Sequence, residues 1–329
     1  MSEIIGRQLE IGLGVEAVRG VAEGTPEAWL KNTTAHIIDM AETKEDNSVH
    51  GKLEDQDGRR VVKKWVEGDL EGIIGVNNIG YLLYNLYGAD TEALVSGSVY
   101  SHLFALAQSI VHPSLSIFAK DGSVQQLVFN NCMLSKLEIN AVVDDYLRYK
   151  ASFMGKTSAS NSSSPSYATD YDFIGKDIVI KIADTEAGLA GATALSAKEF
   201  GITFDTGLIN DFVLGSYNPD DLYNAKMAIE GTIKKNFVDN TFKTLYQSDT
   251  YKYMSITITS ANAITGALYP TITIILNRVA INSWDRSGGA DELVIEDIGF
   301  KAYFNATDAE QSTIALQNTV AEYDTPISA

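Results

Sequence analysis

A short pattern that returns in the second half of the chain constrains the fold more than any other feature. Val66-Glu67-Gly68, followed by Asn77-x-Ile79-x-x-Leu82, recurs as Ile229-Glu230-Gly231, followed by Asn240-x-Phe242-x-x-Leu245. Two further stretches fall in the same order. His112-Pro113-Ser114-Leu115-Ser116-Ile117 matches Tyr269-Pro270-Thr271-Ile272-Thr273-Ile274, and Tyr149-Lys150-Ala151-Ser152-Phe153 matches Phe300-Lys301-Ala302-Tyr303-Phe304. The separation between matched positions shortens along the chain, as loop-length changes do in a diverged duplication. A chain of 329 residues suits two domains of roughly 150 residues each. The repeat therefore predicts a tandem. An N-terminal arm (1–35) precedes a first domain (36–155), and a Ser-rich linker (156–172) leads to a second domain (173–304) and a C-terminal tail (305–329).

Each half reads as strands around one helix. Phe200, Ile202 and Phe204 alternate with Glu199, Gly201, Thr203 and Asp205, and Ile256 and Ile258 alternate with Ser255, Thr257 and Thr259. This period of two marks strands with one core face and one wet face, which suits antiparallel sheets. Ile79, Leu82, Leu83 and Leu86 lie at i, i+3, i+4 and i+7 and predict an amphipathic helix, with Asn77 or Asn78 as its cap and Gly88 as its stop. A shorter helix is expected after Asn240, with Phe242, Leu245 and Tyr246 on one face. The fold class is all-β or a β-dominated α+β.

Composition narrows the function. The net charge of −18 is the reverse of what gripping nucleic acid requires, because phosphate contacts need clustered Lys and Arg. It suits a surface along which DNA must not stick. The single cysteine, Cys132, rules out a disulfide within the chain and a Cys-based zinc site, and its apolar neighbours Met133 and Leu134 predict burial. The four histidines show no i, i+4 pair, so no metal site is expected. Gly155-Lys156-Thr157 lacks the earlier glycine and the following helix of a phosphate loop. Asp55-Gln56-Asp57-Gly58 lacks the flanking ligands of a calcium loop. No cofactor and no catalytic constellation is expected. No signal peptide is expected at the N-terminus, and no apolar run reaches the roughly 18 residues of a membrane span.

Two long polar segments precede the two Glu-Gly anchors. Thr43 to Arg60 carries Asn47, Gly51, Asp55, Asp57 and Gly58, and Thr206 to Asn224 carries Asn210, Gly215, Asn218 and Asp220. Long loops rich in turn residues usually serve function, so these residues are candidate functional contacts. Glu67-Gly68 and Glu230-Gly231 are candidates for a structural or interface role, such as a carboxylate facing a Lys or Arg across an interface.

The stretch Gly12-Leu13-Gly14-Val15-Glu16-Ala17-Val18-Arg19-Gly20, followed by Pro26-Glu27-Ala28-Trp29-Leu30, resembles the opening of a family of bacteriophage tail tube proteins. The resemblance continues through Gly51, Val66-Glu67-Gly68-Asp69-Leu70 and Asn77-Asn78-Ile79-Gly80-Tyr81-Leu82-Leu83. It implies a β-sandwich or split barrel with one flanking helix in each half, and a subunit that forms rings stacked into a tube for DNA, with the residues named above on the two long polar segments as the candidates for ring-to-ring stacking. A duplicated subunit of this kind implies trimeric rings with pseudo-sixfold symmetry. The implied partners are further copies of the chain and the tape-measure, tail terminator and baseplate proteins, with assembly in the host cytoplasm and residence in the virion tail. Rival readings are a tail terminator, a baseplate hub or a capsid-decorating protein. A two-module carbohydrate binder is disfavoured, since Trp29, Trp65 and Trp284 do not occupy matching positions in the two halves.

Overall fold

The computed structural model describes residues 3, 5–46, 51, 53 and 58–323. The first half runs β1 (Leu9–Val15), β2 (Ala28–Leu30), β3 (Thr33–Asp46), β4 (Gly58–Ile73), α1 (Ile79–Tyr87), β5 (Gly88–Ser96), β6 (Val99–Leu106), β7 (Leu115–Asp121), β8 (Gln125–Val142) and β9 (Arg148–Gly155). The second runs β10 (Ala159–Ser160), β11 (Ile178–Ala183), β12 (Ala197–Asp205), β13 (Ile209–Asp211), β14 (Asp221–Tyr223), β15 (Ala228–Asn236), α2 (Thr241–Tyr246), β16 (Lys252–Thr259), β17 (Thr271–Ser287), β18 (Ile295–Ala302) and β19 (Ser312–Asn318).

The expected alternation builds these strands. In β12, Phe200, Ile202 and Phe204 are buried and their neighbours are not. Eight strands make one antiparallel sheet in the order β3-β4-β9-β8-β12-β15-β18-β17. Four come from each half, and the halves join where β8 pairs with β12. A second layer covers one face of this sheet. In the first half β2, β1 and β7 pair in series onto the leading part of β8. In the second, β11 pairs with β16, β16 with the leading part of β17, and β17 with β19, which continues into β6 and β5. One continuous apolar core lies between the layers and runs through both halves, from Ile11 and Leu13 to Ile314 and Leu316. Among the described residues no helix is long and apolar enough to cross a membrane, which says nothing about crossing by strands.

The two halves use the same ladder. Gly68 of β4 stands between Ile37 of β3 and Phe153 of β9. Gly231 of β15 stands between Ile202 of β12 and Phe300 of β18. The glycines are required for the same reason. A Cβ at Gly68 would lie 2.7 Å from Phe153 Cζ and 2.9 Å from the His36 carbonyl oxygen, and one at Gly231 would lie 2.3 Å from Phe300 Cζ and 2.4 Å from the Gly201 carbonyl oxygen. Opposite each phenylalanine the long strand bulges, after Leu134 in β8 and after Ile281 in β17. Each bulge lies where its strand passes from one layer to the other, which is the bending a bulge produces.

This ladder corrects the register of two sequence matches. Phe153 corresponds to Phe300, not to Phe304, so the third match is displaced by four residues, two periods of the alternation. The second match sets the start of β7 against the start of β17, although β17 takes the place of β8 and β7 that of β16. Apolar-polar alternation is common to every strand with one wet face, so it matches strands readily and fixes register poorly.

Helix α1 buries Ile79, Leu82, Leu83 and Leu86 and ends at Gly88, whose φ of 82° is the left-handed conformation that glycine tolerates. The N-cap is Asn78, but its side chain makes no capping bond. Asn77 is occupied elsewhere, its Oδ1 accepting from the Thr319 amide and hydroxyl at 3.2 Å. Asn85 fixes the helix to β8 by accepting from the Leu134 amide at 2.9 Å and donating to the carbonyls of Pro113 and Cys132. In α2, Phe242 is buried, whereas Tyr246 is exposed. Cys132 is buried in the core.

Candidate assembly interface

The eight-stranded sheet stops at two edges. Among the described residues, β3 pairs with β4 on one side only, and the segment Ser283–Ser287 of β17 pairs with β18 on one side only. Within the chain the corresponding edges are already joined. β12, the counterpart of β3, lies against Lys136–Val142 of β8, the counterpart of Ser283 onward in β17, with Ile202 opposite Ile139 and Thr203 opposite Glu138. An unpaired strand edge offers a row of amide and carbonyl groups to another strand.

The uncovered face of the sheet carries several Lys–carboxylate pairs among Thr, Ser and Gly positions. Lys150 lies 2.5 Å from Glu71 and 3.3 Å from Asp69, Lys234 lies 2.6 Å from Glu199, Lys301 lies 2.5 Å from Glu230, and Lys136 pairs with Glu138. The carboxylate contacts hold the Lys150, Lys234 and Lys301 ammonium groups above their ordinary pKa, chiefly through the hydrogen bonds they donate to Glu71, Glu199 and Glu230. Asp285 and Asp297, directly opposite each other next to the free edge of β17, have no cation within 4 Å among the described residues. The first half places Glu138 opposite Lys150 at that point. A groove crosses this face over β8, β12, β15, β18 and β17, with Gly201, Gly231 and Gly299 in its floor.

The sequence candidates fall into two sets. Glu67 and Glu230 occupy the same place in the two ladders and are not brought together. Glu67 accepts from Trp65 Nε1 at 2.7 Å, and Glu230 pairs with Lys301 of its own sheet. Asn47, Asp55 and Asp57 lie outside the described residues, while Gly51 and Gly58 are exposed. On the other loop, Gly215 and Asp220 are exposed, Asn210 is half-buried in β13, and Asn218 accepts from Thr157 Oγ1 at 3.0 Å. The second loop packs against β4 just past the first. The Lys64 amide donates to the Tyr217 carbonyl at 2.8 Å, Trp65 meets Phe212 edge-on at 6.1 Å, and Lys63 Nζ stands 4.6 Å above the Phe212 ring. Val213, Leu214 and Tyr217 of this loop are exposed to solvent.

Side chains not singled out in the sequence hold that loop down. Arg19 Nε lies 2.8 Å from Asp221 Oδ1, and its terminal nitrogens donate to the carbonyls of His112 and Leu222. Asn131 Nδ2 donates to the same Asp221 oxygen at 3.1 Å. Nearby, buried Glu16 accepts from Ser114, Ser116 and the amides of Gly20 and Asn131, and burial raises its pKa against these bonds. The Gly-x-Glu opening marked Glu16, whereas pairing across the two halves left no local signal for Arg19.

A charged sheet face with two strand edges unpaired among the described residues offers those edges to a further strand. The chain belongs to the phage tail tube protein family, whose profile matches residues 6–302. It is a structural protein of the virion tail that assembles into a stacked tube. Among solved structures, the SPP1 tail tube determined by solid-state NMR and cryo-EM is similar at 15% identity and a TM-score of 0.29, over 46% of this chain and 81% of that one. No curated protein matches the sequence.

Proposed function

We propose that the chain forms trimeric tail-tube rings with pseudo-sixfold symmetry. The observation that carries this reading is the β8–β12 junction, which joins the halves edge to edge inside one chain. The same junction between chains sets β3 against Ser283–Ser287 of a neighbour, and three such seams close the sheet into a barrel without edges. The tandem, with its halves at about 36–155 and 173–304, stands in for six single-fold subunits. The charged sheet face then lines the channel, where its excess of carboxylates repels DNA phosphates and leaves the genome free to slide. The protein acts as a scaffold and not as an enzyme.

The seam has a defined register. Thr203 opposite Glu138 inside the chain translates to Ile38 opposite Asp285 between chains. Directly opposed residues in antiparallel strands lie about 4.5–5.5 Å apart at Cα, within reach of a disulfide. The double variant Ile38→Cys, Asp285→Cys is expected to oxidise to a covalent species of three chains, read on non-reducing gels. A ladder running to six chains, or no cross-link in assembled tubes, overturns the reading.

Stacking of rings is assigned to the two long loops; on the second, exposed Val213 and Leu214 offer apolar area. Leu214→Asp is expected to leave rings intact while tubes are lost in negative-stain images. Tubes of normal length would remove this loop from the stacking contact.

A further inference from the structure

We infer that the segment preceding β1, Glu3-Ile4-Ile5, docks in the groove beside α2 in the second half of the neighbouring subunit. This rests on the proposed β3–β17 seam.

The first half shows the same groove filled. A segment of the linker lies across the start of α1. The Val76 amide donates to the Tyr171 carbonyl at 3.0 Å, the Leu147 amide to the Phe173 carbonyl at 2.9 Å, and the Asn77 amide to Asp170 Oδ1 at 2.8 Å. Phe173 is fully buried in the core. A cavity of only 20 Å³ remains beside Gly75, Ile79 and Leu82.

In the second half the groove is open. Gly231 holds the place of Gly68, so Val238, Phe242 and Leu245 hold those of Gly75, Ile79 and Leu82. The groove beside them measures 1080 Å³. Its other wall is matched too, since the Phe237 amide donates to the Val294 carbonyl as the Ile74 amide does to that of Leu147. The amides of Asp239 and Val294, in the places of Val76 and Leu147, donate to no carbonyl among the described residues. Val238 is 77% exposed and Leu293 70%, and Asn236 Oδ1 is buried there without a partner. Unmet amides beside exposed apolar side chains suit an extended segment.

The counterpart of the linker segment is the start of the chain. A single turn, Gly175–Asp177, leads from the linker into β11, and a single turn, Gly6–Gln8, leads into β1. Both are closed alike. The Asp177 amide donates to the Ile174 carbonyl and the Ile174 amide to Asp177 Oδ2, while the Gln8 amide donates to the Ile5 carbonyl and the Ile5 amide to Gln8 Oε1. The ladders agree, with Ile178 opposite Ile258 and Leu9 opposite Asp121. Asp121 and Ile258 hold matching places in β7 and β16, whose ladders to β8 and β17 bulge at the same point. Glu3, Ile4 and Ile5 therefore match Asp172, Phe173 and Ile174. Ile4 lies outside the described residues, and Ile5 is 63% exposed.

The linker segment leads into the second half yet covers the first, across the β8–β12 junction. Across the seam between chains, the segment leading into β1 covers the second half of the neighbour. A glycine supports this placement. A Cβ at Gly175 would lie 2.4 Å from the Val142 carbonyl oxygen across the junction, whereas one at Gly6 would meet nothing within 4 Å. The neighbour supplies the close approach that calls for glycine at position 6.

The experiment is a cross-link between two chains. Tyr146 and Ile174 oppose each other, and the pair translates to Leu293 and Ile5. Full chains carrying Ile5→Cys are co-assembled with full chains carrying Leu293→Cys. Oxidation is expected to give covalent pairs on non-reducing gels, which neither chain gives alone. Val238→Asp is expected to keep the unfolding midpoint of the isolated subunit and to need at least about tenfold more protein to assemble, because docking then buries an unpaired carboxylate. Val238→Asp assembling like the parent overturns the docking. So does the absence of covalent pairs in tubes where Ile38→Cys, Asp285→Cys still cross-links, and the seam then stands without it. Loss of both cross-links removes the seam and the docking together.

Discussion

Proline at one of two neighbouring positions, Ile37 or Ile38, is expected to abolish rings while leaving a folded subunit. In an antiparallel strand successive residues direct their amides to opposite sides, so one of the two donates to β4 and the other points out of the free edge of β3. Proline at the outward position leaves the chain's own ladder whole. It removes a donor from the seam and inserts a ring against the incoming strand, and the carbonyl left unmet costs about 1–3 kcal/mol per seam, or roughly five- to a hundredfold in affinity. Proline at the inward position breaks the β3–β4 ladder and lowers the stability of the subunit itself. Denaturant unfolding of the isolated subunit separates the two, and light scattering reads assembly. If both variants assemble like the parent, β3 is not a seam strand.

The second large effect concerns the C-terminal segment. Tyr323 is fully buried, 4.9 Å from the Tyr81 ring, 4.7 Å from the His102 ring and 6.0 Å from Phe104. Its hydroxyl donates to the Asn77 carbonyl at 2.6 Å and accepts from Asn318 Nδ2 at 2.6 Å. His102 stands between the Asp90 carboxylate at 2.7 Å and the Val320 carbonyl at 3.0 Å and holds the same segment. Gly80 is the residue that makes room, since a Cβ there would lie 2.0 Å from the tyrosine ring. Tyr323→Ala opens a cavity under α1 and leaves Asn77 and Asn318 with unmet bonds, and should cost about 4 kcal/mol. Tyr323→Phe keeps the packing and loses the two hydroxyl bonds, and should cost about 1–2 kcal/mol. Urea unfolding measures both. Equal midpoints for Tyr323→Ala and the parent would show that the segment is not part of the folded core.

Much of the fold was legible because it rests on local patterns. The alternation of Phe200, Ile202 and Phe204 gave β12 its faces, and the spacing of Ile79, Leu82, Leu83 and Leu86 gave α1 its buried side. The Glu-Gly anchors marked the positions where a phenylalanine crosses the ladder, because only glycine admits Phe153 and Phe300 there. Register was not legible, since alternation repeats every two residues and leaves a shifted match looking as good as the true one. The Ser-rich stretch shows a related limit. Composition marks it as unable to form a core, but β10 pairs with β8, Asn161 and Ser163 bond the Gly24 carbonyl, and Asp170 accepts the Asn77 amide at 2.8 Å. Those partners are far away in sequence, as are Arg19 and Asp221. The free edges could be seen only once the sheet order was known.

The measurement that tests the account most directly is a cryo-EM reconstruction of tubes assembled from the full chain. The account predicts three chains in each ring, with β3 of one chain lying antiparallel to Ser283–Ser287 of the next and an inner barrel in which these seams and the β8–β12 junctions alternate. Six chains in a ring, or a ring closed through strands other than β3 and β17, would contradict it.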